Sequence, residues 1–193
     1  MAKKKKKHFH LLKILLFIIL LIIMLVAYSY FIEPKIFTYR EYPIDNENIK
    51  NEFKGFKIVH ITDIHYGRNF NKEDLKKVVR SINEQKPDVV VLTGDLIDKT
   101  ANMTTQMSNE ITDELKTINA SSGKYAITGD QDLKFDEFSN IINNSGFIKL
   151  DNTYDTIYKN GYKSMLIAGV STAKDKEDIN SKLIATKEFI NSF

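Results

Sequence analysis

The sequence predicts an α/β fold: a mostly parallel sheet flanked by helices, preceded by one transmembrane helix. Three observations carry this reading. Short apolar runs bounded by turn residues alternate with stretches of helical period, the mark of βαβ units. The runs FKIVHIT (56–62) and DVVVLT (88–93) are largely apolar, as strands buried on both sheet faces are. Ahead of both stands an unbroken run of 19 uncharged residues, 14–32.

As a helix that run would be about 28 Å long, close to the roughly 30 Å hydrocarbon core of a bilayer. Tyr28 and Tyr30 fall where an interfacial aromatic belt lies, and lysines 3–7 flank the other end. The positive-inside rule then predicts a single-pass cell-membrane protein, with the N-terminus cytoplasmic and the chain beyond Glu33 extracytoplasmic. The competing reading is a signal peptide cleaved near Ala27-Tyr28-Ser29. The length of the run favours a signal-anchor.

A connector over 33–55 follows, with Pro34 and Pro43 and an expected short strand near 35–42. Residues 56–62 are the first strand and 71–85 a helix, with Leu75, Val78, Val79 and Ile82 on one face. Asn71 is its expected N-cap, with Glu73 and Asp74 in the first turn and Pro87 as a stop. Residues 88–93 are the second strand. Over 105–120 Met107, Ile111, Leu115 and Ile118 share one helical face, and 124–128 is the third strand. A shorter helix is expected near 135–143. Strands follow at 147–150, 154–158 and 164–170, the last two joined by a turn at Asn160-Gly161, and a final helix runs from about 175. The organisation read from this is a basic head (1–13), an anchor (14–32), the connector (33–55) and a folded domain (56–193).

Composition narrows the function classes. With 42% apolar and 27% charged residues, 8 Gly and 3 Pro, the chain is neither collagen-like nor wholly disordered. Zero cysteines exclude a disulfide framework, a thiolate metal site and a cysteine nucleophile. Six of the 28 basic residues lie within the first 13 positions, which leaves 22 against 25 acidic ones, a net of −3. Basic charge gathered at the membrane end of an acidic body gives no reason to expect nucleic-acid binding.

In open α/β sheets, sites form just past the carboxyl ends of the strands. Those ends read Asp63-Ile64-His65, Gly94-Asp95-Leu96-Ile97-Asp98 and Gly129-Asp130-Gln131-Asp132. Three successive strands thus deliver acidic residues to one rim. If the backbone stays extended, Asp63 and His65 point the same way, while Gly94 and Gly129 allow sharp turns. Carboxylates converging with an imidazole call for a cation, and the mixed oxygen and nitrogen set suits Mn²⁺, Fe or Zn²⁺. Of the remaining side chains, His60 is expected in the core, Asp98 and Asp132 as supports or caps, and Arg68 exposed.

These motifs resemble the calcineurin-like metallophosphoesterases, in particular their bacterial membrane-anchored branch. D-x-H and G-D-x-x-D are intact here, and G-N-H-[D/E] is altered to Gly129-Asp130-Gln131-Asp132. The resemblance implies the first half of an α/β/β/α sandwich and hydrolysis of phosphate mono- or diesters at a dinuclear centre. Asp63 and His65 would hold the first metal, Asp95 would bridge, and Asp130 would stand at a second-metal ligand position. Gln131 occupies the place of a catalytic histidine. Histidine occurs only at positions 8, 10, 60 and 65, and the family's G-H-x-H does not follow. The expectation is therefore a truncated domain of impaired activity with one weakly held ion, its incomplete sandwich inviting a partner or self-association. The rival reading is a non-catalytic module that binds a metal or phosphate.

Overall fold

The computed structural model describes residues 2–33, 38–47, 49, 51–159, 163–173 and 176–192. The chain divides into two compact units, Met1–Arg40 and Glu41–Phe193. The first is built on helix α1 (Ala2–Phe31). Its stretch Leu12–Phe31, 20 residues, is long and apolar enough to cross a membrane, and none of it is buried. Residues 38–42 form no strand, a correction to the expected connector strand, whose remaining positions lie outside the described residues.

The second unit runs β1 (Ile58–Ile61), α2 (Lys72–Glu84), β2 (Val89–Leu92), α3 (Thr105–Lys116), β3 (Lys124–Ala126), α4 (Glu137–Asn144) and β4 (Ile148–Lys149). It continues through β5 (Thr153–Lys159), β6 (Lys163–Gly169) and α5 (Lys176–Ser192). The predicted turn at Asn160-Gly161 lies outside the described residues. The helix starts follow from their caps. Asn71 and Asp74 exchange side-chain-to-backbone bonds in a capping box, and Thr104 Oγ1 accepts from the Met107 amide.

Strands β1 to β4 pair in parallel and lie in the sheet in chain order. A sheet that never reverses its direction of growth sends every right-handed crossover to the same face. Accordingly α2, α3 and α4 pack side by side over one face, burying Leu75, Val79, Ile82, Ile111, Leu115, Ile141 and Ile142 against Val90, Leu92 and Ala126. The other face carries a second, smaller core of Val89, Tyr125, Leu150 and Ile157, contributed in part by the antiparallel β5–β6 hairpin.

That hairpin covers β2 and β3 but not β1. Val89 is fully buried, while its register partner Ile58 is 49% exposed. Here the reading of FKIVHIT as buried on both faces is corrected. His60 lies on the same open side, exposed, with its Nε2 2.6 Å from Thr93 Oγ1, rather than in the core as its apolar neighbours suggested. Sequence neighbours reveal a strand but not which of its faces finds a cover.

Tyr125 ties the hairpin to the sheet: its hydroxyl donates to Asp155 Oδ2 at 3.1 Å. Burial, then the nearby Asp155 charge and this bond, push its phenol up to about 12. A folded-state value above the unfolded one stabilises the fold at pH below about 10, and that stabilisation is lost as pH rises towards 12. In urea unfolding between pH 8 and 11.5, wild-type stability is expected to fall in the alkaline range. Tyr125→Phe should remove this part of the slope.

Candidate metal centre

Three of the expected site residues converge. One ligand atom each from Asp63, His65 and Asp95 lies within 4.8 Å of the others. His65 Nε2 is 3.6 Å from Asp63 Oδ1, and Thr62 Oγ1 donates to Asp63 Oδ2 at 2.8 Å. Asp130 is exposed and lies outside this group.

The route to convergence is not the extended one. Asp63, His65 and Asp95 have φ of 55°, 50° and 53°, the left-handed region that side chains with a Cβ avoid. What holds them is a ladder that continues past the strand ends. The amides of Asp63, His65 and Tyr66 donate to the carbonyls of Gly94, Asp95 and Leu96 at 3.2, 3.0 and 2.8 Å. Ile64 and Tyr66 are anchored in the core on either side of His65. The structure therefore over-determines three strained residues, and all three point polar atoms into one cluster.

The rim loops after β2 and β3 are pressed together. A Cβ on Gly94 would sit 2.5 Å from Gly129 Cα, and one on Gly129 would sit 2.3 Å from both the Asp95 amide nitrogen and its Oδ1. Gly94 also needs its φ of +94°. Gly129 has no such torsion, so what the chain requires there is close approach, not the sharp turn expected of it.

Asp132 is the fastener between these loops, the cap and support expected of it, here reaching across both loops. It is 1% exposed, and its carboxylate accepts from the amides of Asp95, Gly129 and Ile97 at 2.8, 3.0 and 3.1 Å. Burial pushes its carboxyl above the usual carboxylate range and the nearby Asp95 charge adds to this, while the three amides counter it. The only sequence signal is the Gly-x-x-Asp spacing, which lets an aspartate reach back to an amide three residues earlier.

Asp98, 3% exposed, sits behind His65, with its Oδ2 3.8 Å from His65 Nδ1 and 4.0 Å from Arg68. Burial opposes its ionisation, but the Thr100 hydroxyl and amide, Arg68 and His65 together hold the carboxyl below its ordinary value. This is the support expected of it. Arg68 is largely exposed, also as expected.

The donor set fits a divalent cation. Two carboxylates and an imidazole crowd together, and His65 Nδ1 is buried without a hydrogen-bond partner. A cation at the cluster would fix the ring, with one nitrogen on the ion and the other turned to a carboxylate, the usual surrounding of a ligating histidine.

The calcineurin-like phosphoesterase family pattern matches residues 56–183. An uncharacterised metallophosphoesterase of Bacillus subtilis, YkuE, is 35% identical over 145 residues, covering 74% of this chain and 47% of that protein. A Danio rerio transmembrane protein with a metallophosphoesterase domain is 25% identical over 58% of this chain and 26% of its own length. The UDP-2,3-diacylglucosamine pyrophosphatase LpxG of Chlamydia muridarum is 33% identical over 40% of this chain and 23% of its own. The chain thus spans less than half the length of these relatives. Among solved structures, TT1561 of Thermus thermophilus superposes with a TM-score of 0.47 at 18% identity, over 69% of this chain and 63% of that one.

Two substitutions test the geometry. Gly129→Ala drives a methyl into the Asp95 backbone and is expected to cost about 3 kcal/mol or more in denaturant unfolding. Asp63→Gly relieves a left-handed aspartate and thins the carboxylate cluster. It should raise metal-free stability by about 0.5–1 kcal/mol while weakening Mn²⁺ binding, read by melting curves with and without the ion.

Proposed function

The chain belongs to the calcineurin-like phosphoesterase family, and from that premise we propose that it is a membrane-anchored, metal-dependent phosphoesterase acting on phosphate mono- or diesters. The observation that carries the reading is the gathering of Asp63, His65 and Asp95 ligand atoms within 4.8 Å at the strand ends of a domain with this family's pattern. Asp63, His65 and Asp95 would hold a divalent ion, Mn, Fe or Zn by their donor chemistry, and the family resemblance would give a second ion Asp95 and Asp130. When bound, such ions supply Lewis-acid polarisation of a phosphoryl oxygen and an activated water.

The chain's own residues prepare that chemistry. Asp132 holds the Asp95 backbone amide, and Asp98 stands 3.8 Å behind His65 Nδ1, where it would accept from the ring once a cation fixed it. The Asp132 bonds are in place before any ligand arrives, which limits reorganisation of Asp95 on binding. Gln131 stands where the family resemblance puts a histidine, and an amide cannot exchange a proton near neutral pH. Turnover is therefore expected to be slower than a general acid would give, by about 10²–10⁴-fold.

Helix α1 anchors the protein, with the lysine-rich end cytoplasmic and the domain outside. Its substrates are accordingly phosphoesters near the membrane surface. The likeness to a relative named as a pyrophosphatase of UDP-2,3-diacylglucosamine supports an acylated, phosphate-bearing substrate rather than a particular ester bond.

The test is Mn²⁺-dependent hydrolysis of bis(p-nitrophenyl) phosphate by the full chain in detergent. Turnover should fall roughly 10²-fold or more in Asp95→Asn. Wild-type turnover no greater than that of Asp95→Asn would overturn the activity.

A further inference from the structure

Asp95 is engaged by one residue on both of its oxygens. The Gln131 backbone amide donates to Oδ1 at 3.2 Å, and the Gln131 side-chain Nε2 donates to Oδ2 at 3.3 Å. The side-chain amide cannot be turned the other way, because its Oε1 accepts from the Lys99 amide at 2.9 Å. Gln131 is thus pinned between the β2 rim loop and the carboxylate it holds.

We propose that Gln131 is a positioning residue that makes the two metal positions unequal, committing Asp95 to one tightly held ion and leaving a second to bind only weakly. This rests on the metal-site reading above and adds to it the order and spacing of occupancy. A carboxylate has about four lone-pair directions, two on each oxygen. With one N–H on each oxygen, each keeps a single free direction. One ion needs no more than that. A second ion on the same oxygen must displace a Gln131 bond, and one on the other oxygen has only the single direction that Gln131 leaves free. Asp130 does not compensate, since it is exposed and stands apart from the group. The same two bonds stiffen Asp95 toward the first ion, and bonds of this kind typically change metal affinity by about 10–100-fold.

The experiment is a stepwise Mn²⁺ titration of the full chain in detergent, followed by calorimetry and by electron paramagnetic resonance. Wild type, Gln131→Leu and Gln131→Glu are compared, with melting curves alongside. The leucine keeps bulk without the amide. The glutamate keeps shape, but its ionised side chain cannot donate to Asp95 Oδ2; the backbone bond to Oδ1 stays in both variants. Wild type should take one equivalent at least about 100-fold more tightly than a second. Its spectrum at one equivalent should be that of an isolated ion. Both variants should narrow the gap at least tenfold and show exchange-coupled pairs at lower Mn²⁺, a signature that loss of stability alone does not create. Two equal steps in wild type, or the same gap in both variants, would overturn the proposal and leave the metal-site reading standing. Wild type that binds no ion would overturn both.

Discussion

The approach of two backbone loops to van der Waals limits is the constraint on which the rest of this structure depends. Gly94 and Gly129 have no room for a Cβ, and the Asp132 carboxylate stitches the loops together through three amides. A buried carboxylate is costly unless it is fully hydrogen-bonded. Here the bonds that satisfy it also set where Asp95 stands. The energetic demand of one buried charge and the positional demand of the cluster have the same solution.

Backbone strain at Asp63, His65 and Asp95 fits this arrangement. Each left-handed residue carries a cost of order 1 kcal/mol, and none would persist in a loop free to relax. They persist because amide ladders and the flanking core residues Ile64 and Tyr66 leave no alternative path. Two carboxylates and an imidazole held this close would release energy if a cation bound among them. The region least comfortable without a ligand is also the most rigidly specified.

Much of this is legible in the sequence. Periodicity locates the main helices and strands of the second unit to within a few residues, because amphipathic stripes such as Leu75, Val79 and Ile82 and caps such as Asn71 are local signals. The three acidic strand ends are legible for the same reason. What local pattern cannot convey is which sheet face acquires a cover, so His60 reads as a core residue when it is exposed. Nor does it convey how two loops distant in sequence meet, so Gly129 reads as a turn, and Asp132 as a cap or support whose partners in the other loop stay hidden. Gln131 stands out by its identity, but its hold on Asp95 is a relation across 36 positions.

The strands follow one another across the sheet in the order of synthesis. The side chains in and around the cluster, from Asp63 to Asp132, belong to three consecutive strand–loop units on one side of the β5–β6 segment in the chain. A ribosome delivering this protein therefore releases the Asp63–Asp132 stretch, with its candidate ligands, before the hairpin is made. The stretch that emerges first already carries Asp63, His65 and Asp95, and a cation captured there would favour the compact nascent form over the open one.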